Sequence, residues 1–126
     1  MKQGTKVIIA MGTNCHKQRH TTLALQQLRQ LIDSRLQATQ PLETEAIGMD
    51  SDRFLNTLVA LHTTLTLQQL TQLTKDIERM CGDTKEARNH NIVNIDIDIL
   101  QYGDTRLHVD DWNRPYIATL LKQLNP

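Results

Sequence analysis

Val93, Ile95, Ile97 and Ile99 alternate with Asn94, Asp96 and Asp98, the period-two pattern of a strand with one buried face. The isoleucines enter a core together, and Asp96 and Asp98 share the opposite face. Lys6–Met11 is a second short apolar strand, stopped by Gly12-Thr13-Asn14, and Phe54–Thr63 is a third, rich in Leu, Val and Thr. Leu36–Thr44 is polar and reads as a strand broken at Pro41. Between Lys17 and Ser34, Leu25, Leu28 and Ile32 recur on one face amid Gln and Arg, which predicts a helix. Thr66 and Gln69 have the spacing of a capping box. They open a helix whose Leu67, Leu70, Leu73, Ile77 and Met80 form one stripe, with Gly82 as its C-terminal stop. Gly48–Asp52 and Asp83–Asn91 read as loops, Thr105–Val109 as a short edge strand, and Tyr116–Leu124 as a final short helix.

The order β-α-β-β-α-β predicts an α+β, ferredoxin-like fold over residues 1–126, a single domain. Its antiparallel sheet carries the helices on one face and leaves the other free for a ligand. The isoleucines must face the helices, so Asp96 and Asp98 point to the open side. Their Cα atoms lie roughly 6–7 Å apart along the strand. Like charges held that close repel, and a cation relieves the cost. Hard oxygen ligands without a nearby His or Cys suit Mg²⁺, which takes one or two protein carboxylates and completes its shell with substrate phosphates. The competing reading is an exposed strand face whose acids meet Lys or Arg across the sheet.

Composition narrows the partners. The 14 basic and 14 acidic residues cancel, so no overall field for nucleic acid or an anionic membrane exists, and phosphate binding needs a local cluster. The apolar run Val7–Met11 is too short for a secretion signal or a membrane span. Cys15 and Cys81 stand apart, without metal-ligand spacing, and read as reduced thiols of a cytoplasmic protein. A monomer is expected.

Several short motifs in order then resemble the bacterial 6-hydroxymethyl-7,8-dihydropterin pyrophosphokinases of folate biosynthesis. They are the strand ending in Gly12-Thr13-Asn14; Thr44-Glu45-Ala46-Ile47-Gly48, like that family's Thr-Pro-Pro-Leu-Gly; Phe54-Leu55-Asn56; Ile77-Glu78 before Gly82; Asp96-Ile97-Asp98-Ile99 before Gly103; and Asn113-Arg114-Pro115-Tyr116, like its Asn-Arg-Pro-Phe. The resemblance runs from Val7 to about Leu121. It implies a ferredoxin-like enzyme that moves a pyrophosphoryl group from ATP to the pterin hydroxymethyl with two Mg²⁺ ions. By resemblance, Asp96 and Asp98 hold the metal and Arg114 lies near the phosphates, forming the catalytic set. Thr44, Ala46, Phe54, Asn56 and Tyr116 match pterin-pocket positions: Asn56 at the ring edge, Tyr116 stacked on its face, Phe54 lining the pocket. Glu78, Lys85, Arg88, Arg106 and Trp112 match the nucleotide side. For Phe54 core filling, and for Glu78, Arg106 and Arg114 a solvated surface role, are the alternatives.

The chain departs from that pattern where ATP is handled. Two positions where the family carries phosphate-contacting arginines hold Asp83 and Val93. The loop tryptophan position holds His90, and the histidine of Pro-His-Tyr is Asp111, followed by Trp112. The family usually continues past the last helix with a further strand, which does not follow Pro126. Each lost charge-assisted contact costs about 1.5–3 kcal/mol, so slow turnover is expected. The alternative is an impaired or inactive pterin- or nucleotide-binding homologue. A third reading, a regulatory or assembly domain, predicts Lys or Arg opposite both aspartates.

Overall fold

A strand that is apolar on both sides belongs at the centre of a sheet. Lys6-Val7-Ile8-Ile9-Ala10-Met11 is such a segment, and β1 (Thr5–Thr13) pairs antiparallel with β4 (Phe54–Thr63) on one side and β5 (Asp96–Tyr102) on the other. The computed structural model describes residues 4–124. Beside β4 lie two short edge strands, β2 (Gln37–Ala38) and β3 (Leu42–Thr44), and β6 (Thr105–Arg106) pairs with β5. Pro41 falls between β2 and β3, where it interrupts the strand as expected. The result, among the described residues, is a mixed α/β architecture with an open antiparallel sheet, ordered β2-β4-β1-β5-β6 with β3 also on β4, and four helices.

Helices α1 (Lys17–Leu31) and α2 (Leu67–Met80) cover one face. Ala24, Leu28, Leu70 and Ile77 pack there against Val7, Ile9, Met11, Val59, Leu61, Ile95, Ile97 and Ile99. The helix expected to end at Ser34 ends at Leu31, and its inward stripe is His20, Thr21, Ala24 and Leu28, with Leu25 only half-buried. The capping box forms: the Gln69 N–H donates to Thr66 Oγ1 (3.1 Å) and the Thr66 N–H to Gln69 Oε1 (2.9 Å). Met80, at the end of the predicted stripe, is exposed.

The opposite face is not left open along its whole length, which corrects the expectation of helices on one face. Pro115, suited to the first helical turn because it has no N–H to satisfy, starts α4 (Pro115–Leu121). Ile117 and Leu120 of α4 pack with Leu58, Leu100, Ile8 and Ala10 on the side away from α1 and α2. Two further differences lie in the connections. The loop from Asp83 holds a one-turn helix, α3 (Lys85–Asn89), whose Ala87 N–H donates to Thr84 Oγ1. The edge strand expected over Thr105–Val109 stops at Arg106, and Val109–Asn113 is a 3₁₀ turn.

In β5, Ile9 pairs with Ile99 but Ile8 with Gln101, so Leu100 is an extra residue. Such a bulge reverses the facing beyond it. Tyr102, which strict alternation would put beside Asp98, instead joins the α1/α2 core, and its hydroxyl donates to the Leu65 carbonyl (2.6 Å). The acid face therefore ends in Leu100 rather than in a tyrosine.

Candidate active site

Ile8, Ala10 and Gly12 shrink in size along the face of β1 that looks away from α1 and α2. Ala10 is flanked by Leu58 and Asp98, and Gly12 by Asn56 and Asp96. A Cβ on Gly12 would lie 3.5 Å from the Phe54 ring and 3.6 Å from Asn56 Oδ1. Its absence leaves a floor between an amide and a carboxylate. Over that floor is an open cavity of about 200 Å³, smaller than the roughly 300 Å³ at which drug-sized ligand sites begin. Thr44, Phe54, Asn56, Asp96, Asp98 and Tyr116, all singled out from the sequence, line it. Glu45, Ile47 and Asp111 line it as well. No spacing in the sequence marks Asp111, which the 3₁₀ turn after β6 carries back to β5.

Val93, Ile95, Ile97 and Ile99 are buried, whereas the side chains of Asp96 and Asp98 keep 38% and 33% exposure, so the facing expected from the alternation holds. Burial, the charge of Asp96 and a hydrogen bond with it, then Asp111 and Glu78, push the Asp98 carboxyl from 3.8 up to about 7. Glu78 is also raised, by burial first, although its carboxylate accepts the Ile97 N–H at 2.8 Å. Burial and Asp111 raise the Tyr116 phenol. The cations are unevenly shared. Arg88 Nη2 lies 3.3 Å from Asp96 Oδ1 and Arg114 Nε 3.2 Å from Asp111 Oδ1. Among the described residues, the one cationic partner of Asp98 is His108 Nε2, at 4.0 Å. Among the described residues no Lys or Arg pairs with Asp98, so the prediction of a basic residue opposite both acids is not met.

Asn56 is buried, and its Nδ2 donates to the Leu42 carbonyl (3.0 Å) and Thr44 Oγ1 (2.8 Å). An amide carries two donor hydrogens. Both are engaged in holding β3 to β4, so Oδ1 is the atom left for a ligand. Trp112 is a packing residue of the second core; its indole N–H is shared between the Leu100 and Leu107 carbonyls, and the Arg106 guanidinium stacks 4.0 Å over its ring. Ala46 is half-buried between Glu45 and Ile47, and Lys85 is exposed on α3. Glu78, Lys85, Arg88, Arg106, Trp112 and Arg114 stand outside the cavity wall, Arg88 and Arg114 reaching it through Asp96 and Asp111.

Asn14 explains the polar end of β1. Its Oδ1 accepts the Val93 N–H (2.7 Å), its own N–H donates to the Val93 carbonyl (3.0 Å), and its Nδ2 donates to the Asn91 carbonyl (2.8 Å). Asn91 Nδ2 in turn donates to the Asp50 carbonyl (3.2 Å), tying together the loops before β4 and β5.

Compared with known families, the chain matches the family model for 7,8-dihydro-6-hydroxymethylpterin-pyrophosphokinase over residues 8–126. The chain belongs to this family. No curated protein matches it. Membership in the pyrophosphokinase family supports a role in folate biosynthesis, with ATP as the pyrophosphoryl donor. No helix among the described residues is long and apolar enough to cross a membrane. Nor do any three His, Cys, Asp or Glu side chains among them gather into a metal site of their own. The Asp96/Asp98 carboxylate pair is a donor set of the kind that suits Mg²⁺, which retains waters and binds through one or two carboxylates plus phosphate.

Proposed function

We propose that this pyrophosphokinase-family protein transfers the pyrophosphoryl group of ATP to 6-hydroxymethyl-7,8-dihydropterin, with Mg²⁺ held by Asp96 and Asp98. The observation that carries the reading is the row Asn56–Gly12–Asp96 across β4, β1 and β5. Two strand spacings, roughly 9–10 Å, separate an acceptor for a ring N–H from the acids, with only a glycine between. That suits a flat bicyclic ring whose hydroxymethyl arm reaches the carboxylates. Tyr116 and Phe54 supply aromatic faces, which pair with a heteroaromatic ring in offset stacks. Thr44 lines the cavity, and Ala46, half-buried between two lining residues, is the pterin-side position proposed beside it. The antiparallel order β5-β1-β4-β2, with α1 and α2 on one face, supports the ferredoxin-like reading of the fold.

In the transfer, the hydroxymethyl oxygen bonds to the β-phosphorus of ATP. The bond from that phosphorus to the oxygen bridging α and β breaks, AMP leaves, and the hydroxyl proton is released. The metal supplies charge neutralisation on the phosphate oxygens, the main demand of such reactions. The chain's own residues orient and shield. Asn56 and Tyr116 fix the ring, Asp96 and Asp98 concentrate negative charge for the cation, and Arg114, Arg106, Lys85 and Arg88 are the basic groups available to phosphate, with Glu78 and Trp112 on the nucleotide side. Cytoplasmic location and action as a monomer are part of the proposal.

A second reading, a homologue that binds pterin or nucleotide with little or no turnover, is favoured by one observation. Asp83 is engaged with Arg88, and Val93 is buried and clamped by Asn14, so neither position provides a phosphate contact. Calorimetric titration separates the possibilities. The proposal expects pterin to bind, and a non-hydrolysable ATP analogue to bind with Mg²⁺ and much more weakly with EDTA. Failure of both ligands to bind would end it, while tight binding without turnover would select the second reading.

A further inference from the structure

Asp83 and Arg88 form a charged unit of their own in the connection between α2 and β5. The Asp83 side chain is only 9% exposed. Its Oδ2 accepts from Arg88 Nε at 2.8 Å, and its Oδ1 is buried without a hydrogen-bond partner. From that anchor the other edge of the guanidinium reaches forward: Arg88 Nη2 donates to Asp96 Oδ1 (3.3 Å) and the Ile95 carbonyl (3.4 Å). The Arg88 side chain is 38% exposed, so it is accessible to a ligand beside the acid pair.

We propose that Asp83 is a positioning residue for Arg88, and that Arg88 is the resident counter-ion of Asp96, passing from that carboxylate to a phosphate when a metal–nucleotide complex arrives. The inference rests on the proposed transfer reaction. A nearly buried carboxylate is tolerated when it is paired and costly when it is not, so Asp83 has reason to retain the guanidinium. The planar fork of arginine can keep one acceptor on its Nε edge while its Nη groups change partner. A divalent cation on Asp96 competes with Nη2 for the same oxygen and repels the guanidinium. Tethered at Asp83, the guanidinium cannot leave. It stays within reach of the negative charge that the metal brings, and a phosphate oxygen replaces Asp96 as its acceptor.

The test uses the full chain and two probes, Mn²⁺ alone and a non-hydrolysable ATP analogue with excess Mg²⁺. Removing a resident cation frees Asp96, so R88A is expected to bind Mn²⁺ at least threefold more tightly. It is also expected to bind the Mg²⁺–nucleotide complex at least tenfold more weakly. Loss of a merely structural ion pair would not move the two affinities in opposite directions. D83A should move both in the same senses by less, and should add nothing in an R88A background, because Asp83 acts through Arg88. If D83A does not fold, D83N, which keeps an acceptor but loses the charge, serves in its place. Unchanged or weaker Mn²⁺ binding in R88A, or additive effects of the two substitutions, would overturn the inference. A wild-type chain that binds no Mg²⁺–nucleotide would overturn the functional reading and the phosphate half of this one, while the Mn²⁺ comparison still decides whether Arg88 is the counter-ion.

Discussion

Replacing Asp98 by Asn in the metal-free protein should remove a specific pH dependence of stability. Burial and Asp96 raise the Asp98 carboxyl from 3.8 to about 7. A carboxyl that holds its proton more tightly folded than unfolded stabilises the fold at pH values below its unfolded value, near 4. That contribution is lost as the pH rises to about 7. Without attenuation the difference corresponds to about 4 kcal/mol. The side chain is 33% exposed, and solvent screening reduces the expected loss to about 1–2 kcal/mol. Asn mimics the protonated acid, so Asp98→Asn should match the wild type below about pH 4 and exceed it by that amount near pH 8. Urea unfolding in EDTA at the two pH values is the assay. The variant provides the reference because Glu78, raised by burial, contributes in the same direction. At pH 8, Mg²⁺ should restore stability to the wild type and not to the variant. Equal pH slopes in the two proteins would refute the reasoning, since the repulsion that attracts a cation would then be missing.

Asn56→Ala should weaken pterin binding by about 1–3 kcal/mol and also lower stability, because the Leu42 carbonyl and the Thr44 hydroxyl lose their donor; unchanged affinity in a titration would move the pocket elsewhere. Gly12→Val should abolish most pterin binding, tenfold or more, by filling the floor beside Phe54 and Asn56. Its melting temperature should change little, since Val is a favourable strand residue, and a variant that folds and binds normally would contradict the geometry. Val93→Arg, the change the family pattern invites, should cost about 3 kcal/mol or more in a denaturation curve, because position 93 is 4% exposed and a guanidinium there is buried or breaks the Asn14 clamp. A stable Val93→Arg protein would show that the clamp can open.

The parts legible in the sequence were those set by local rules. Alternation over Val93–Ile99 gave the facing of both acids, and Thr66 with Gln69 marked the start of α2. The motifs around Asn56, Asp96 and Tyr116 pointed to residues that meet in one cavity though they lie far apart in the chain. What escaped depends on tertiary pairing. The bulge at Leu100 leaves no trace in hydropathy, yet it decides where Tyr102 points. Periodicity says that α4 has an apolar stripe but not which face of the sheet it covers. One-turn elements such as α3 and the 3₁₀ turn are too short for any period to register. Asp111, Glu45 and Ile47 reach the cavity because loops bring them there. Asp83 looked like a lost cationic contact in the sequence and is, in the fold, the anchor of Arg88.

The central claim is that the Asp96/Asp98 floor supports pyrophosphoryl transfer to a pterin, and product stoichiometry tests it most directly. The chain is incubated with ATP, Mg²⁺ and 6-hydroxymethyl-7,8-dihydropterin, and AMP and pterin diphosphate are quantified together, beside Asp98→Asn protein whose circular dichroism matches the wild type. The account predicts one AMP per pterin diphosphate, no product in EDTA, and a loss of at least about a hundredfold in the variant. Asp98→Asn protein that turns over at the wild-type rate, or wild-type protein that binds both substrates and forms neither product, would contradict it.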